Sequence, residues 1–218
     1  MVDFPISNLS NSGIDRIQVY VKEKPRTLVS HIGTGRHYNI NSKSGRLQVL
    51  FTDSDQRNNI YNTDIASYYE NMECIEEMHH PYVVITPDYM VYTADFSKLI
   101  EQHIQSEADI TLLYHAVDNA KDAYLNCNIL NLNKQKGVLS IEPNHGNAKN
   151  RNIFMDTYIM KKDLFIELIR KAKAISSAFT LADIINELHN ELDVRGVSHR
   201  ASSLPSQISR AITTPIWI

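Results

Sequence analysis

Apolar residues along this chain fall into two alternating patterns. Short runs rich in β-branched and aromatic residues, Ile14 to Val21, Leu47 to Phe51, Tyr82 to Thr86 and Asp109 to Val117, predict strands. Between them apolar positions recur every three or four residues, the period of a helix. Asp64 to Met78 is one such stretch, through Ile65, Tyr68, Tyr69, Met72, Ile75 and Met78. Asp95 to Ser106 is another, with Phe96, Leu99, Ile100 and Ile104 on one side. The run Tyr82 to Thr86 is almost wholly apolar, the pattern of a strand buried on both faces.

Turn residues punctuate these runs. Gly13, after Asn11 and Ser12, can take the left-handed conformation that ends a helix. Pro25 opens a short helix through Leu28, Val29 and Ile32, because proline is tolerated at the first helical position. Alternation of strands and helices predicts βαβ units and a parallel sheet with right-handed crossovers. The second half changes texture. Leu125 to Leu132, Gly137 to Ile141 and Ile153 to Met160 read as strands separated by polar turns, so the sheet becomes mixed. Helices follow at Lys162 to Ala174 and Thr180 to Leu192, then a short strand near Val194 to His199. The expectation is one α/β domain over residues 1–200. Residues 201–218 form an unassigned tail without clear period, ending on the apolar pair Trp217-Ile218.

Composition narrows the class of partner. The 218 residues are 43% hydrophobic and 22% charged, enough apolar material for one sizeable core. Lys+Arg 22 against Asp+Glu 25 gives a net charge of -3, so no basic excess calls for nucleic acid. The two cysteines, Cys74 and Cys127, have no CxxC partner, which fits a reduced, cytoplasmic setting. The opening MVDFPISNLS has no secretory-signal pattern, and no apolar run approaches the ~20 residues of a membrane span. A soluble cytoplasmic protein is expected.

Candidate chemistry is sparse. Asp88 follows the apolar run in YVVITPDYM. At the carboxyl end of a strand its carboxylate would face the crevice where open α/β sheets bind ligands, a place suited to Mg²⁺. A turn aspartate after Pro87 is the plainer reading. Glu76, Glu77, His79 and His80 read as a solvated helix end, since adjacent histidines point apart. Cys127, inside an apolar strand, reads as core. Seven glycines leave little room for phosphate-cradling loops.

Several segments in order resemble the glucose-1-phosphate adenylyltransferases (ADP-glucose pyrophosphorylases). VDFPISN with NSGI (Val2 to Ile14) is similar to that family's "IDFxLSNxxNSGI", and SHIGTGRHYN (Ser30 to Asn39) to its "HIxSGxxW". IYNTDIASYYENM (Ile60 to Met72) lies where active members have "WYRGTADAVYQN". Tyr82 to Tyr114 lies where they have "VLILAGDHIYxMDYxxMLxxHxxxxADVT". The resemblance runs from about Val2 to His199. It implies a Rossmann-like nucleotidyltransferase (GT-A-like) α/β/α domain in three layers, with a mostly parallel, partly mixed sheet that lacks its first strand.

The departures from the family are specific. In active members the first strand and a Gly-rich loop bind the nucleoside triphosphate, and the resemblance here begins after that unit. "RGTADA" has become Asn62 to Ser67, losing its glycine and acidic residue. The glycine of "FGVM" is Asn128, and the "EKP" that holds sugar phosphate is Glu142-Pro143-Asn144, without the lysine. The serine and glycine of "SMGIYVF" are Phe154 and Asp156. A buried phosphate without its cation is costly, about 2–5 kcal/mol for each lost charged partner.

The retained positions are Tyr61, Asp88 and Glu142; the resemblance implies a vestigial sugar-phosphate pocket at Tyr61 and Glu142 and a metal ligand at Asp88. No catalytic residue is assigned. The resemblance is closest to the non-catalytic GlgD branch, and so implies a regulatory or degenerate subunit in bacterial glycogen biosynthesis. Its partner would be the catalytic glucose-1-phosphate adenylyltransferase subunit in a hetero-oligomer, or a second copy, with a sugar phosphate or effector as ligand. The alternatives are an active enzyme and a truncated relic. The active enzyme would form ADP-glucose by in-line attack of glucose 1-phosphate on ATP, with Mg²⁺ neutralising the developing charge.

Overall fold

The computed structural model describes residues 2–21, 25–33, 38, 40, 46–52 and 61–199. The chain opens with helix α1 (Asp3–Asn11), which stops at Gly13, held at φ 78 where only glycine sits without strain. Strand β1 (Arg16–Val21), helix α2 (Pro25–Ile32) and strand β2 (Arg46–Phe51) follow, and β1 pairs with β2 in parallel. The expected tail at 201–218 lies outside the described residues.

The predicted helix from Asp64 to Met78 is broken in two, α3 (Asp64–Glu70) and α4 (Met72–Glu76). Asn71 causes the break. Its side-chain amide donates to the carbonyls of Ser67 and Phe51, at 3.0 and 3.2 Å, and its backbone leaves helical geometry. Strand β3 (Tyr82–Ile85) comes next, then α5 (Phe96–Ser106), capped at its start by the Asp95 carboxylate accepting from the Lys98 backbone N–H. On α5 the pattern reading is corrected: Ile104 is 47% exposed and His103 is buried instead. The imidazole stays inside because its Nδ1 pairs with the Thr111 hydroxyl at 2.8 Å.

Strands β4 (Ile110–Val117), β5 (Asn128–Leu132), β6 (Val138–Pro143) and β7 (Arg151–Lys161) complete most of the second sheet, before helices α6 (Lys162–Ile175) and α7 (Leu181–Glu187) and strand β8 (Val194–Ser198). β5 starts later than its apolar pattern because Tyr124 and Asn126 turn the chain at positive φ. The sheet runs β6-β5-β7-β4-β8, with β3 also on β7. Parallel pairing is confined, among the described residues, to β1·β2 and β4·β8; the long strand β7 runs antiparallel to β3, β4 and β5.

Two apolar cores lie on the two faces of this sheet, giving three layers. One gathers Tyr68, Ile75, Phe165, Leu168, Ile184 and their neighbours from α3, α4, α6 and α7. The other gathers Ile6, Leu9, Ile32 and Phe96 from α1, α2 and α5. β1 serves both, sending Ile17, Val19 and Val21 to the second core and Tyr20 to the first. β3 is less covered than its sequence predicts, with Tyr82, Val83 and Val84 only half-buried. The reason is topological: among the described residues β3 has a strand on one edge only, and β1 does not reach it.

Candidate functional site

The candidate site lies where β3 ends. An edge of a strand can hold one partner at a time, and β4 occupies one edge of β7 along most of its length. On the opposite edge β3 pairs with Tyr158 to Lys161 and β5 pairs at Ile153. Phe154 to Thr157 are therefore left facing the loop that follows β3. That loop is pinned to the gap by three hydroxyls. Tyr92 stands 2.8 Å from Thr86 and 2.6 Å from Thr157, all three buried. Burial holds the Tyr92 phenol above its ordinary range although both threonine contacts pull the other way.

β7 is distorted here. Leu112 faces Tyr158 and Tyr114 faces Phe154, so two steps along β4 are met by four along β7. Asp156 sits in the middle of the bulge at φ 43. This is where the resembling family carries a glycine. A non-glycine residue at this positive φ stores about 1 kcal/mol or more of strain. The pattern of apolar residues through IFMDTYIM gave no sign of the bulge.

A second carboxylate is tied into the same neighbourhood. Asp64, 4% exposed, accepts from the backbone N–H of Leu181 at 3.1 Å and from that of Ile65 at 2.8 Å. It thereby caps the first turn of α7, which also carries a reciprocal Thr180–Asp183 capping box. Burial pushes the Tyr158 and Tyr68 phenols well above their ordinary range. The charges that add to this are the carboxylates of Asp156, Asp64 and Asp183 around Tyr158, and of Asp64 and Asp156 around Tyr68.

The three residues singled out from sequence do not converge by any contact described. Asp88 is 4% exposed, in the loop beyond β3, and is engaged by neighbouring groups. Tyr61 is 51% exposed, just before α3. Glu142 is exposed on β6, where its carboxylate accepts from Ser140 at 2.6 Å and Asn131 at 2.8 Å. Among the described residues no three His, Cys, Asp or Glu side chains gather as a metal site. Sequence reasoning missed Asp64, Tyr92 and Thr157. Asp64 alone had a local signal, the Thr63-Asp64 pair before an apolar run.

The other expectations are simply placed. Cys127 is buried and Cys74 half-buried, and neither is in a disulfide. Glu76 pairs with Arg170 at 2.6 Å on the surface, with His79 and His80 exposed beside it. No described helix is long and apolar enough to cross a membrane.

Comparison with known proteins agrees with this architecture. The family model described as nucleotidyl transferase matches residues 1–196. The glucose-1-phosphate adenylyltransferase of Clostridium perfringens (strain SM101) is 31% identical over 160 residues, 73% of this chain and 41% of that protein. Its counterpart in Clostridioides difficile is 27% identical over 174 residues, 79% of this chain and 45% of that one. The chain thus spans less than half the length of these relatives.

Among solved structures, a Bacillus anthracis protein described as a glucose-1-phosphate thymidylyltransferase superposes with TM-score 0.70 at 14% identity, covering 93% of this chain and 75% of that one. HddC from Yersinia pseudotuberculosis gives 0.64 at 14%, covering 90% and 75%. These last two share the fold, a Rossmann-like α/β domain. With the family's pattern carried from α1 through β8, the chain belongs to the nucleotidyl transferase family and is similar to glucose-1-phosphate adenylyltransferases.

Proposed function

We propose that this chain is a non-catalytic, regulatory subunit of glucose-1-phosphate adenylyltransferase, working in cytoplasmic glycogen biosynthesis beside a catalytic subunit. One observation carries the reading: Asp156, at φ 43 in the bulge of β7, puts a carboxylate where the resembling family has a glycine. ATP and glucose 1-phosphate are both polyanions, and a site that turns them over needs cations where charge develops. Here Asp156 stands in place of a glycine, Pro143 follows Glu142 where the family has a lysine, and Glu142 is held by Ser140 and Asn131. What remains, Tyr61 and Glu142 on the surface, supports at most a weak sugar-phosphate or effector contact.

The test is an assay of the purified chain for diphosphate release from ATP and glucose 1-phosphate with Mg²⁺, followed by the same assay after mixing with the catalytic subunit from the same source. No turnover alone is expected, with a stable complex whose rate or effector response is altered. Substantial ADP-glucose formation by the chain by itself would sink the reading.

A further inference from the structure

We propose that the face of β1 and β2 beneath α4 holds a binding site for a tetrahedral oxyanion, a phosphate either free or carried as the monoester of a small metabolite. β1 and β2 pair in parallel with Arg16 directly beside Arg46 and Gln18 beside Gln48. Side chains alternate along a strand, so these four share one face with Tyr20 and Leu50, while Ile17, Val19, Leu47 and Val49 turn into the opposite core. Between that face and the end of α4 lies a pocket of about 60 Å³, whose polar lining is these four side chains with Cys74 and Glu77. That is room for a few water-sized groups, which a phosphate fills and a whole nucleotide does not.

Charge specifies the ligand. Like charges placed side by side on strands about 4.8 Å apart repel, and among the described residues neither guanidinium is in an ion pair. The groups at the end of α4 that could have neutralised them are engaged elsewhere. The Glu76 carboxylate takes Arg170 at 2.6 Å, and the carbonyls of Glu76 and Met78 accept from Lys162 Nζ at 3.2 and 2.5 Å. The floor is held in place by hydrogen bonds. Gln18 donates to the Cys74 carbonyl at 2.9 Å and accepts from the Tyr20 hydroxyl at 2.7 Å, and Gln48 donates to the Cys74 Sγ at 3.5 Å. Each amide nitrogen has a second N–H to give, and the planar fork of arginine matches phosphate oxygens two at a time. The Glu77 carboxylate on the pocket wall opposes an anion, so the balance is two positive charges against one. The pocket rests on the faces of strands already paired, shares no residue with the site beyond β3, and does not depend on the regulatory reading above.

Isothermal titration of the full chain at low ionic strength, with sodium phosphate and separately with glycerol 3-phosphate, reads the site. Saturable binding is expected, weakened about ten-fold by Arg16→Gln or Arg46→Gln and abolished by the two together. Both arginines are exposed, so the fold should survive, and thermal melts of the variants check that it does. Glu77→Gln should act the other way and tighten binding about three-fold, because it removes the opposing charge. Equal or tighter binding of free phosphate assigns the site to the ion itself, and tighter binding of glycerol 3-phosphate assigns it to a monoester. The proposal is overturned by a lack of saturable binding, by binding that survives the double substitution, or by a Glu77→Gln variant that binds no tighter. Should the arginine variants melt early, the Glu77→Gln titration decides.

Discussion

The carboxylate of Asp64 accepts a hydrogen bond from the backbone N–H of Leu181 at 3.1 Å, joining the start of α3 to the start of α7 across 117 positions of sequence. The bond satisfies a donor at a helix N-terminus inside the core, and the negative charge suits the helix dipole. Asp64→Ala leaves that donor and the Ile65 N–H unmet and should cost about 2–3 kcal/mol. For a domain of this size that lowers the melting temperature by about 5–10 °C. Asp64→Asn keeps an acceptor and should cost roughly half as much. Thermal unfolding followed by circular dichroism distinguishes the two.

The bulge of β7 predicts the opposite sign. Asp156 holds a backbone conformation at φ 43 that glycine adopts freely. Asp156→Gly should therefore stabilise the fold by about 0.5–1 kcal/mol, while Asp156→Val, β-branched at positive φ, should destabilise it by more than that. Urea midpoints of the two variants, compared at equal slope, check the pair.

The hydroxyl cluster over the gap in β7 gives a third expectation. Tyr92→Phe removes the phenol's contacts with Thr86 and Thr157, leaving Thr157 its bond to the Met155 carbonyl at 3.0 Å and a long contact with the Thr86 hydroxyl at 3.5 Å. The cost should be about 1 kcal/mol, and the loop after β3 should exchange its amide hydrogens faster. Unchanged exchange in that loop would show that the cluster does not pin it.

His103 makes stability depend on pH. Burial lowers its pKa from 6.5, nearby Lys161 lowers it further, and Asp109 partly opposes them. The unfolded chain then binds a proton before the folded one does. The contribution is whole above the ordinary histidine range and is lost as pH falls below 6.5 toward the depressed folded value. His103→Gln should flatten that part of the pH–stability curve, and Lys161→Met should move the His103 resonance titration upward.

Elements were legible where a local pattern decides them. Gly13 and Pro25 marked the ends of α1 and the start of α2, and the apolar period placed α6 within a residue or so. Asn71 and His103 misled because each is settled by a partner on another element, Phe51 of β2 for one and Thr111 of β4 for the other. The site was least legible. Asp88 was picked out by its place beyond an apolar strand, and Tyr61 and Glu142 through resemblance to a family whose chemistry they alone do not rebuild. The groups that shape the gap, Thr157, Tyr92 and Asp156, act through strand pairing that no single segment encodes.

One strand, β7, pairs with β3, β4 and β5, and all three precede it in the sequence. A ribosome making this chain releases those three strands before it has made the one that joins them. Until residue 161 emerges, Tyr82 to Leu132 can collapse but cannot form the sheet, and long-range pairing of this kind is slow to begin and prone to misassociate. The nascent chain therefore depends on its last third to bury its middle, and truncation inside β7 should yield a chaperone-bound or aggregated product rather than a smaller folded domain.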